Sequence, residues 1–458
     1  MEHWFEVWDN DGVNGSKSAR SAPQVFEAPT LKELAQQQDQ QNEALKGDLK
    51  DNIREAQELQ EELDKLRREL LDKKEVNWQD KQKLENVMQR QKDLQQRIEQ
   101  NTQQLREDQQ RQQEFRPQEE RILEKQKQVQ ELFENVLSEE MKELYRKVQE
   151  MMEKVNKEEL QESLQEMKMD QQDIEKELDR ALEQFKRLEV EQKAEDIAKQ
   201  LEELAKSRRS LNKEMDELRK EMDELEKKNA ELETPMDLPK TDEQEQQIQD
   251  EQQQSSEQLE KKQNQKAGES QKKAAEQMEQ LAFQMQSAMQ SGAQEQQEED
   301  MDALRQVLEN IVHLSFEQEG LMDELTGTSV RDPRFVQHGR TQRKLRDDAK
   351  VIEDSLYALS KRVPQLEAIV NREMTAVNGN MDEATRLLGE ARANERYKPM
   401  AADKQQHAMT SLNNLALLLN EALQQMQQQM NQSMPGSGEC NKPGGSGGER
   451  VRSRAWPR

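Results

Sequence analysis

The sequence predicts a mainly α-helical protein: long coiled-coil helices, a small helical bundle, a short β-hairpin at the N-terminus and a disordered tail. Composition is the first reason, because only 31% of the 458 residues are hydrophobic and 3% aromatic, whereas 36% are charged. A globular core needs more apolar volume than this, but a coiled coil needs only one apolar seam along each helix. Heptad spacing and proline-marked breaks are the second and third reasons.

Residues 1–29 contain nearly the only stretch with β character, HWFEVWDNDGVNGSKSARSAPQVFEAP. Phe5 and Val7 alternate with polar or larger neighbours, as in a half-buried strand. Residues 9–18 are rich in turn formers, and 22–27 are expected to return as a second strand. Because a lone hairpin is at best marginally stable in water, we expect this hairpin to be the remnant of an immunoglobulin-like sandwich whose reading frame continues upstream.

Coiled-coil helices are predicted for residues 30–233. One heptad phase holds over 45–105, where twelve of eighteen a and d positions are apolar, enough for a seam that requires a partner helix. Polar layers near 76–80 leave two alternatives open, a helical hairpin that turns there or one continuous rod. Further breaks are expected near 117, at a proline, and at 189–193, where the phase slips.

The C-terminal half is predicted to contain three regions. Residues 234–299 form a Gln/Glu-rich, low-complexity linker that is partly disordered, and its Met-rich strip, 278–289, either fills a loose helix seam or forms an adaptable docking face. Residues 300–432 carry apolar stripes that are expected to close a helical bundle. Pro364 lies inside one continuous heptad spacing there and is expected to kink that helix. Residues 433–458 are expected to be a disordered tail.

Charge and cysteine content exclude some classes of function. The net charge is −27, which argues against nucleic acid as a partner because a polyanion repels phosphate backbones. The single cysteine, Cys440, allows neither an internal disulfide nor a thiolate metal site. No run of about 18 apolar residues occurs, so no part of the sequence is predicted to span a bilayer.

No catalytic, cofactor-binding or metal-ligating residue is predicted, and no cofactor. The stretch DGVNGSKS, residues 11–18, lacks the glycines that a phosphate-binding loop requires. A calcium loop starting at Asp9 would need Gly and Glu where Asn14 and Arg20 stand. Both patterns are therefore interpreted as a hairpin turn.

Two acid–histidine pairs and a basic ending are weaker candidates. Glu309 and His313, like Asp403 and His407, are four residues apart, so each pair can share one helix face. Di-iron bundles instead use Glu and His three residues apart with additional glutamates, so the pairs are interpreted as ordinary polar residues. The basic residues in 450–458 either contact anionic lipid or acidic protein, or belong to a disordered end.

Seven blocks of the sequence carry a resemblance that covers residues 4 to about 445. They are "FEVWDNDGVNGSKSARS", "APTLKELAQQQDQQNEALK", "LDKLRRELLDKKEVNWQDKQKLE", "DPRF", "KLRDDAKVIEDSLYALSKRV", "AMTSLNNLALLLNEALQQMQQQM" and "CNKPGG". The chain resembles an uncharacterised family of large membrane-anchored bacterial coiled-coil proteins, a domain-of-unknown-function family. The resemblance implies a C-terminal-side fragment, with membrane helices and a soluble domain preceding it, and attachment to a bacterial membrane. It implies no reaction and no catalytic residues.

The predicted function is structural and not enzymatic: an extended coiled-coil scaffold that associates with its own copies or with other helical proteins. It would meet a membrane only through segments outside this chain. The roughly 200 residues before Pro235 would reach about 300 Å as one unbroken helix, or about half of that if folded back once. Two alternatives stay open: the helical region of a larger enzyme or nucleotide-driven envelope machine, and a disordered polyampholyte that folds on binding.

Overall fold

The computed structural model describes residues 2–8, 17–25, 31–73, 77–115, 120–137, 143–144, 146–148, 157–207, 212–366 and 368–433. It confirms a mainly α-helical protein whose β structure, within these residues, is confined to the N-terminus. The predicted break at Pro117 lies outside the described residues, as do residues 434–458 of the predicted disordered tail, whose first residue, Ser433, ends a helix.

The helices are α1 (Leu31–Asp72), α2 (Trp78–Phe115), α3 (Glu120–Asn135), α4 (Lys157–Ser207), α5 (Asn212–Ala230), α6 (Asp242–Glu260), α7 (Asn264–Thr326), α8 (Pro333–Ser360), α9 (Ala368–Glu390) and α10 (Tyr397–Ser433). The strands are β1 (Glu2–His3), β2 (Glu6–Trp8), β3 (Ser18–Arg20) and β4 (Gln24–Val25).

The strands form a nested antiparallel hairpin, which confirms the predicted hairpin but not the bounds of its second strand. The return strand is divided into β3, which begins at the end of the predicted turn, and β4, which covers only part of 22–27. Strand β2 pairs with β3, with Val7 opposite Ala19, and β1 pairs with β4. The side chains of Phe5, Val7 and Trp8 are exposed, so the sandwich that the sequence leads us to expect around this hairpin stays a prediction.

Three apolar cores follow one another along the chain. The first joins α1, α2, α3 and the N-terminal part of α4, and ends at Leu188. The second begins at Val190 and joins the rest of α4 with α5, α6 and the N-terminal part of α7. The third begins at Met301 and joins the rest of α7 with α8, α9 and α10. Helices α4 and α7 therefore each belong to two cores and connect them.

The first core contains a helical hairpin, which decides between the two alternatives at 76–80. The Asn77 side chain accepts a hydrogen bond from the Asp80 backbone N–H at 2.9 Å, and the Asp80 carboxylate accepts one from the Asn77 N–H at 3.1 Å. This reciprocal cap starts α2. Lys83 of α2 bonds Glu69 of α1, and Arg90, seven residues farther along α2, bonds Glu62, Glu58 and Glu55. Helix α2 therefore runs antiparallel to α1, and a continuous rod is excluded.

The expected kink at Pro364 is replaced by the end of a helix. Helix α8 ends at Ser360 and α9 begins at Ala368, and the two pack against each other. Val363 and Leu366 are buried although they lie in the turn. The continuous heptad spacing therefore reflects burial rather than one helix, and proline, which lacks an N–H, is placed where no helical hydrogen bond is needed.

The segment 234–299 differs from the partly disordered linker that its composition predicts. It contains α6 and the first part of α7, which pack as an antiparallel pair. Glutamines connect the two helices, with the Gln244 amide 2.7 Å from the Gln284 oxygen. In the Met-rich strip, Met278, Met285 and Met289 are buried in the second core, as the seam-filling interpretation predicts for the chain without a partner.

Repeated folding back limits the length of any single helix. The longest described helix, α7, has 63 residues and is about 95 Å long at 1.5 Å per residue. The rod of about 300 Å considered from the sequence therefore does not form, because the chain before Pro235 reverses direction between successive helices.

The turn between α6 and α7 leads to a prediction. Lys262 has a φ of 57°, a left-handed conformation that costs an L-residue about 1–2 kcal/mol. Lys262→Gly is expected to raise the free energy of unfolding by up to about 1 kcal/mol, after allowing for the greater freedom of glycine in the unfolded chain. Thermal unfolding followed by circular dichroism measures the change.

Lys261→Gly is the matched control. Lys261 has a φ of −78°, so its replacement relieves no strain and is expected to lower the unfolding temperature. A Lys262→Gly protein that melts as low as the control would contradict the assignment of strain to Lys262.

Candidate functional site

Helix α4 is unusual among the described helices because charged residues are buried on several of its faces. The buried charged residues are Asp173, Glu177, Arg180, Glu183, Glu189, Glu191 and Glu195. A buried charge is stable only when it is paired or hydrogen-bonded. These residues, together with the side chains and carbonyls that bind them, are here named the α4 polar junction, and they are the strongest candidate for a functional site.

The predicted slip of phase at 189–193 has a structural cause. Helix α4 is continuous there, but the first core ends at Leu188 and the second begins at Val190. The consecutive residues Glu189, Val190 and Glu191 are all buried, because α1 and α5 supply partners for Glu189 whereas α3 supplies partners for Glu191. The slip therefore marks a change of neighbours and not a break in the helix.

Glu189 binds two lysines from two helices. Its carboxylate accepts hydrogen bonds from Lys46 of α1 at 2.9 Å and from Lys228 of α5 at 2.5 Å. Burial acts to lower the pKa of Lys46, but hydrogen bonds to Glu43 and Glu189 outweigh it and raise that pKa above its usual value. The same balance, with Glu189 as the main partner, raises the pKa of Lys228. Both lysines therefore stay charged and hold α1 and α5 to α4.

Glu191 makes the corresponding contact with α3. The Lys125 ammonium lies 2.5 Å from its carboxylate and the Arg121 guanidinium lies at 3.6 Å. Burial acts to raise the pKa of Glu191, but the two nearby cations outweigh it and lower that pKa. The carboxylate therefore remains ionised while buried, and it links α3 to α4.

Arg180 binds the turn between α8 and α9, and its side chain is fully buried. The guanidinium donates to the carbonyl oxygens of Ser360 at 3.0 Å and Pro364 at 3.3 Å, and lies 3.4 Å from Glu177. The neighbouring Gln184 amide donates to the Lys361 carbonyl at 2.9 Å. The last carbonyls of a helix have no partner within it, and here α4 supplies those partners for α8.

Two side chains at the end of α8, Tyr357 and Lys361, bind acidic residues outside that helix. The Tyr357 hydroxyl donates to Asp179 at 2.6 Å. The Lys361 ammonium lies 2.7 Å from Asp179, 2.5 Å from Glu233 and 4.7 Å from the centre of the Tyr357 ring. Burial and the hydrogen bond to Asp179 raise the pKa of Tyr357, so the phenol stays protonated and remains a donor.

Two further contacts join α4 to α9. Asn371 donates to Glu177 at 2.6 Å, and the Thr375 hydroxyl donates to Asp173 at 2.8 Å. The hydrogen bond from Thr375 and the nearby cations Lys176 and Arg372 act to lower the pKa of Asp173. Burial outweighs them and raises the pKa of Asp173 to about 6.

The chemistry of the α4 polar junction is attachment between helices. Its carboxylates and guanidinium bind groups from α1, α3, α5, α8 and α9, which come from all three cores. Among the described residues no group of three or more His, Cys, Asp or Glu side chains is arranged to hold a metal ion. The donors and acceptors of the junction are directed at one another, so the arrangement fixes helix positions.

The residues singled out from the sequence do not come together. His407 lies 3.6 Å from Asp403, so this pair shares a helix face as predicted, whereas His313 lies 3.8 Å from Glu317 rather than against Glu309. Both histidines are exposed. The turn residues 9–16, Cys440 and the basic ending lie outside the described residues.

Comparison with known proteins gives no assignment: the chain matches no family model, no curated protein and no solved structure. Within the described part of the chain, no helix combines the length and the apolar character that crossing a bilayer requires.

The α4 polar junction is the feature that heptad counting misses. Heptad positions mark apolar residues on one face, but Arg180 and Glu189 are buried on other faces because several helices surround α4. One signal in the sequence pointed there: the slip of phase at 189–193 lies where the neighbours of α4 change.

Replacement of Arg180 tests the junction. Arg180→Met leaves the carbonyls of Ser360 and Pro364 and the buried Glu177 without a cation, and is expected to lower the free energy of unfolding by about 3–5 kcal/mol. Arg180→Lys is expected to cost less than Arg180→Met because it keeps a buried cation beside Glu177. It is still expected to destabilise the protein, since a single ammonium reaches only some of the three acceptors. Urea unfolding followed by circular dichroism gives both values.

Arg386→Met is the control for the loss of an arginine. Arg386 pairs with Glu383 and Glu390 on its own helix and is half exposed, so its loss is expected to cost less than about 1 kcal/mol. Equal losses for Arg180→Met and Arg386→Met would show that the buried contacts contribute no more than surface ones.

The raised pKa of Asp173 predicts a dependence of stability on pH. Its folded-state pKa of about 6 exceeds the unfolded value of about 3.9, so its contribution to stability is present below about pH 4 and is lost as the pH rises through 6. Asp173→Asn is therefore expected to stabilise the protein at pH 7–8, by up to about 3 kcal/mol, and to have little effect at pH 4. Unfolding midpoints measured across this range test the sign.

Asp64→Asn is the opposite control. A hydrogen bond from Lys168 lowers the pKa of Asp64, so removing this carboxylate is expected to destabilise the protein at pH 7. An Asp173→Asn protein that is less stable than the wild type at pH 8 would contradict the predicted sign.

Proposed function

We propose that this chain is a structural scaffold: a series of antiparallel helical bundles that belongs to a larger membrane-anchored bacterial protein and associates with helical partners or with its own copies. The observation that carries the proposal is the α4 polar junction. Its buried charged groups bind other helices, at positions such as Arg180 and Glu189, and so supply rigidity.

The two shared helices support a scaffold rather than a set of independent bundles. Helix α4 passes from the first core to the second, and α7 passes from the second to the third. A helix that is packed at both ends transmits position over its whole length, which is about 95 Å for α7. Reach and fixed geometry are what a spacer or a platform for partners requires.

Surface charge and resemblance support the rest of the proposal. Acidic residues outnumber basic ones by 96 to 69, and this excess of negative charge favours solubility and argues against nucleic acid as a partner. Attachment to a membrane rests on the resemblance to membrane-anchored proteins alone, and the anchor would lie outside this chain.

Distances between spin labels test the scaffold against its two alternatives. Labels replace the exposed residues Glu269 and Glu309 of α7 in a Cys440→Ser background, and 40 residues of helix correspond to about 60 Å. Double electron–electron resonance is expected to give one narrow distribution of label-to-label distances, centred near this value, in the purified chain. The same distribution is expected when ATP and Mg²⁺ are added.

Each alternative predicts a different result. A disordered polyampholyte gives a broad distribution that narrows only with a partner, and a nucleotide-driven machine gives a distance that changes with nucleotide. The doubly labelled chain in 8 M urea serves as the reference for a broad distribution. Either outcome in the purified native chain would overturn the scaffold.

A further inference from the structure

Helix α6 presents a polar seam to the second core. Its buried residues, Glu245, Ile248, Gln252 and Ser255, follow the alternating spacing of three and four that places side chains on one seam. Only Ile248 among them is aliphatic. Leu259, the other aliphatic residue of α6, is 42% exposed, so Ile248 is the one aliphatic side chain of this helix that is fully buried.

The surface beneath α6 is apolar by contrast. Helix α6 lies along the part of α7 between Lys273 and Gln284, as cross-helix contacts at 3.4 Å and 2.7 Å show. In that part of α7 and just beyond it, Ala274, Met278, Leu281 and Met285 are buried, and the last three belong to the same core as Ile248. Methionine side chains adapt to differently shaped partners.

Polar atoms at this interface are poorly matched. Four buried oxygens of α6 have no hydrogen-bond partner among the described residues: Gln244 Oε1, Glu251 Oε2, Ser255 Oγ and Gln258 Oε1. The third core shows that glutamine can be buried differently, since the Gln318, Gln342 and Gln405 amides bond one another at 2.6–3.1 Å. Unmatched buried polar atoms weaken an interface, so α6 is the less firmly held of the two glutamine-rich contacts.

The connections of α6 allow it to leave its place without unwinding its neighbours. Helix α5 ends at Ala230, and the residues between it and α6 contain Pro235 and Pro239. On the other side, Lys262 holds a left-handed turn before α7. Non-helical residues therefore flank α6 at both ends.

We propose that α6 is a displaceable strap, and that the apolar surface of α7 beneath it binds an acidic amphipathic helix from a partner protein. This inference rests on the proposed scaffold function and names the surface by which the scaffold takes a partner. The partner helix has aliphatic residues at the positions that Gln252 and Ser255 occupy in α6, and it displaces α6 because it buries more apolar surface.

The acidic character of the partner follows from charge complementarity. Helix α6 contains seven acidic residues and no basic one. The cations that face it are Lys273 of α7, 3.4 Å from Glu251, and Arg219 of α5, 3.6 Å from Glu245. A helix that replaces α6 must satisfy these two cations.

A labelled peptide is the probe. It has the sequence of residues 242–260 with Gln252→Leu and Ser255→Leu, and its binding to the full chain is measured by fluorescence anisotropy. We expect it to bind at least tenfold more tightly than the peptide of unaltered sequence. When Gln252→Leu and Ser255→Leu are introduced into the chain itself, the reinforced strap is expected to weaken peptide binding at least tenfold.

The matched control introduces Gln249→Leu and Gln253→Leu into the chain, on the exposed face of α6, and is expected to bind the peptide as the wild type does. Equal binding by the reinforced and control chains would place the peptide elsewhere and overturn the proposal. So would no binding by any chain, or a concentration-dependent dimer that the reinforced strap abolishes, since the occupant would then be a second copy. The spin labels on α7 test the scaffold independently. A narrow distribution of label distances together with no peptide binding would therefore overturn the strap proposal and leave the scaffold proposal standing.

Discussion

A charge inside a protein is stable only if another group neutralises it or bonds to it, and the architecture of this chain depends on how α4 meets that requirement. Glu189 and Glu191 are two residues apart on α4, so they lie on different faces of the helix and bind lysines from different helices. Arg180 binds the end of α8, which belongs to the third core. The charges that would be costly alone therefore determine which helices surround α4, and in what register.

The sharing of α4 and α7 between cores follows from the same composition. A chain with 31% hydrophobic residues cannot build one large core, because the apolar side chains suffice only for narrow seams. Three small cores in succession solve this problem, and a helix that contributes to two of them keeps neighbouring bundles in a fixed relation. The proposed scaffold function depends on this fixed relation between bundles.

Glutamine has two structural roles in this chain. In the third core Gln318, Gln342 and Gln405 bond one another and fill a polar layer among aliphatic residues. Such layers favour one register at some cost in stability. At the interface of α6 the polar atoms are matched incompletely. The two glutamine-rich regions cannot be distinguished by composition. They differ in structure, because the amides of the third core lie within hydrogen-bonding distance of one another whereas several polar atoms of α6 have no such partner among the described residues.

Periodicity by itself determined the helical class, the N-terminal hairpin and most of the core, since Leu49, Leu94 and Ile98 are buried at the heptad positions that predict it. The break that it predicted at 189–193 was wrong, because the helix is continuous there and only its neighbours change. Only the tertiary structure decided that the chain turns at Asn77, that α8 ends before Pro364 and that α6 forms. Heptad spacing records which side chains are buried, whereas the partner of each seam depends on contacts between residues far apart in sequence, such as Arg180 and Ser360.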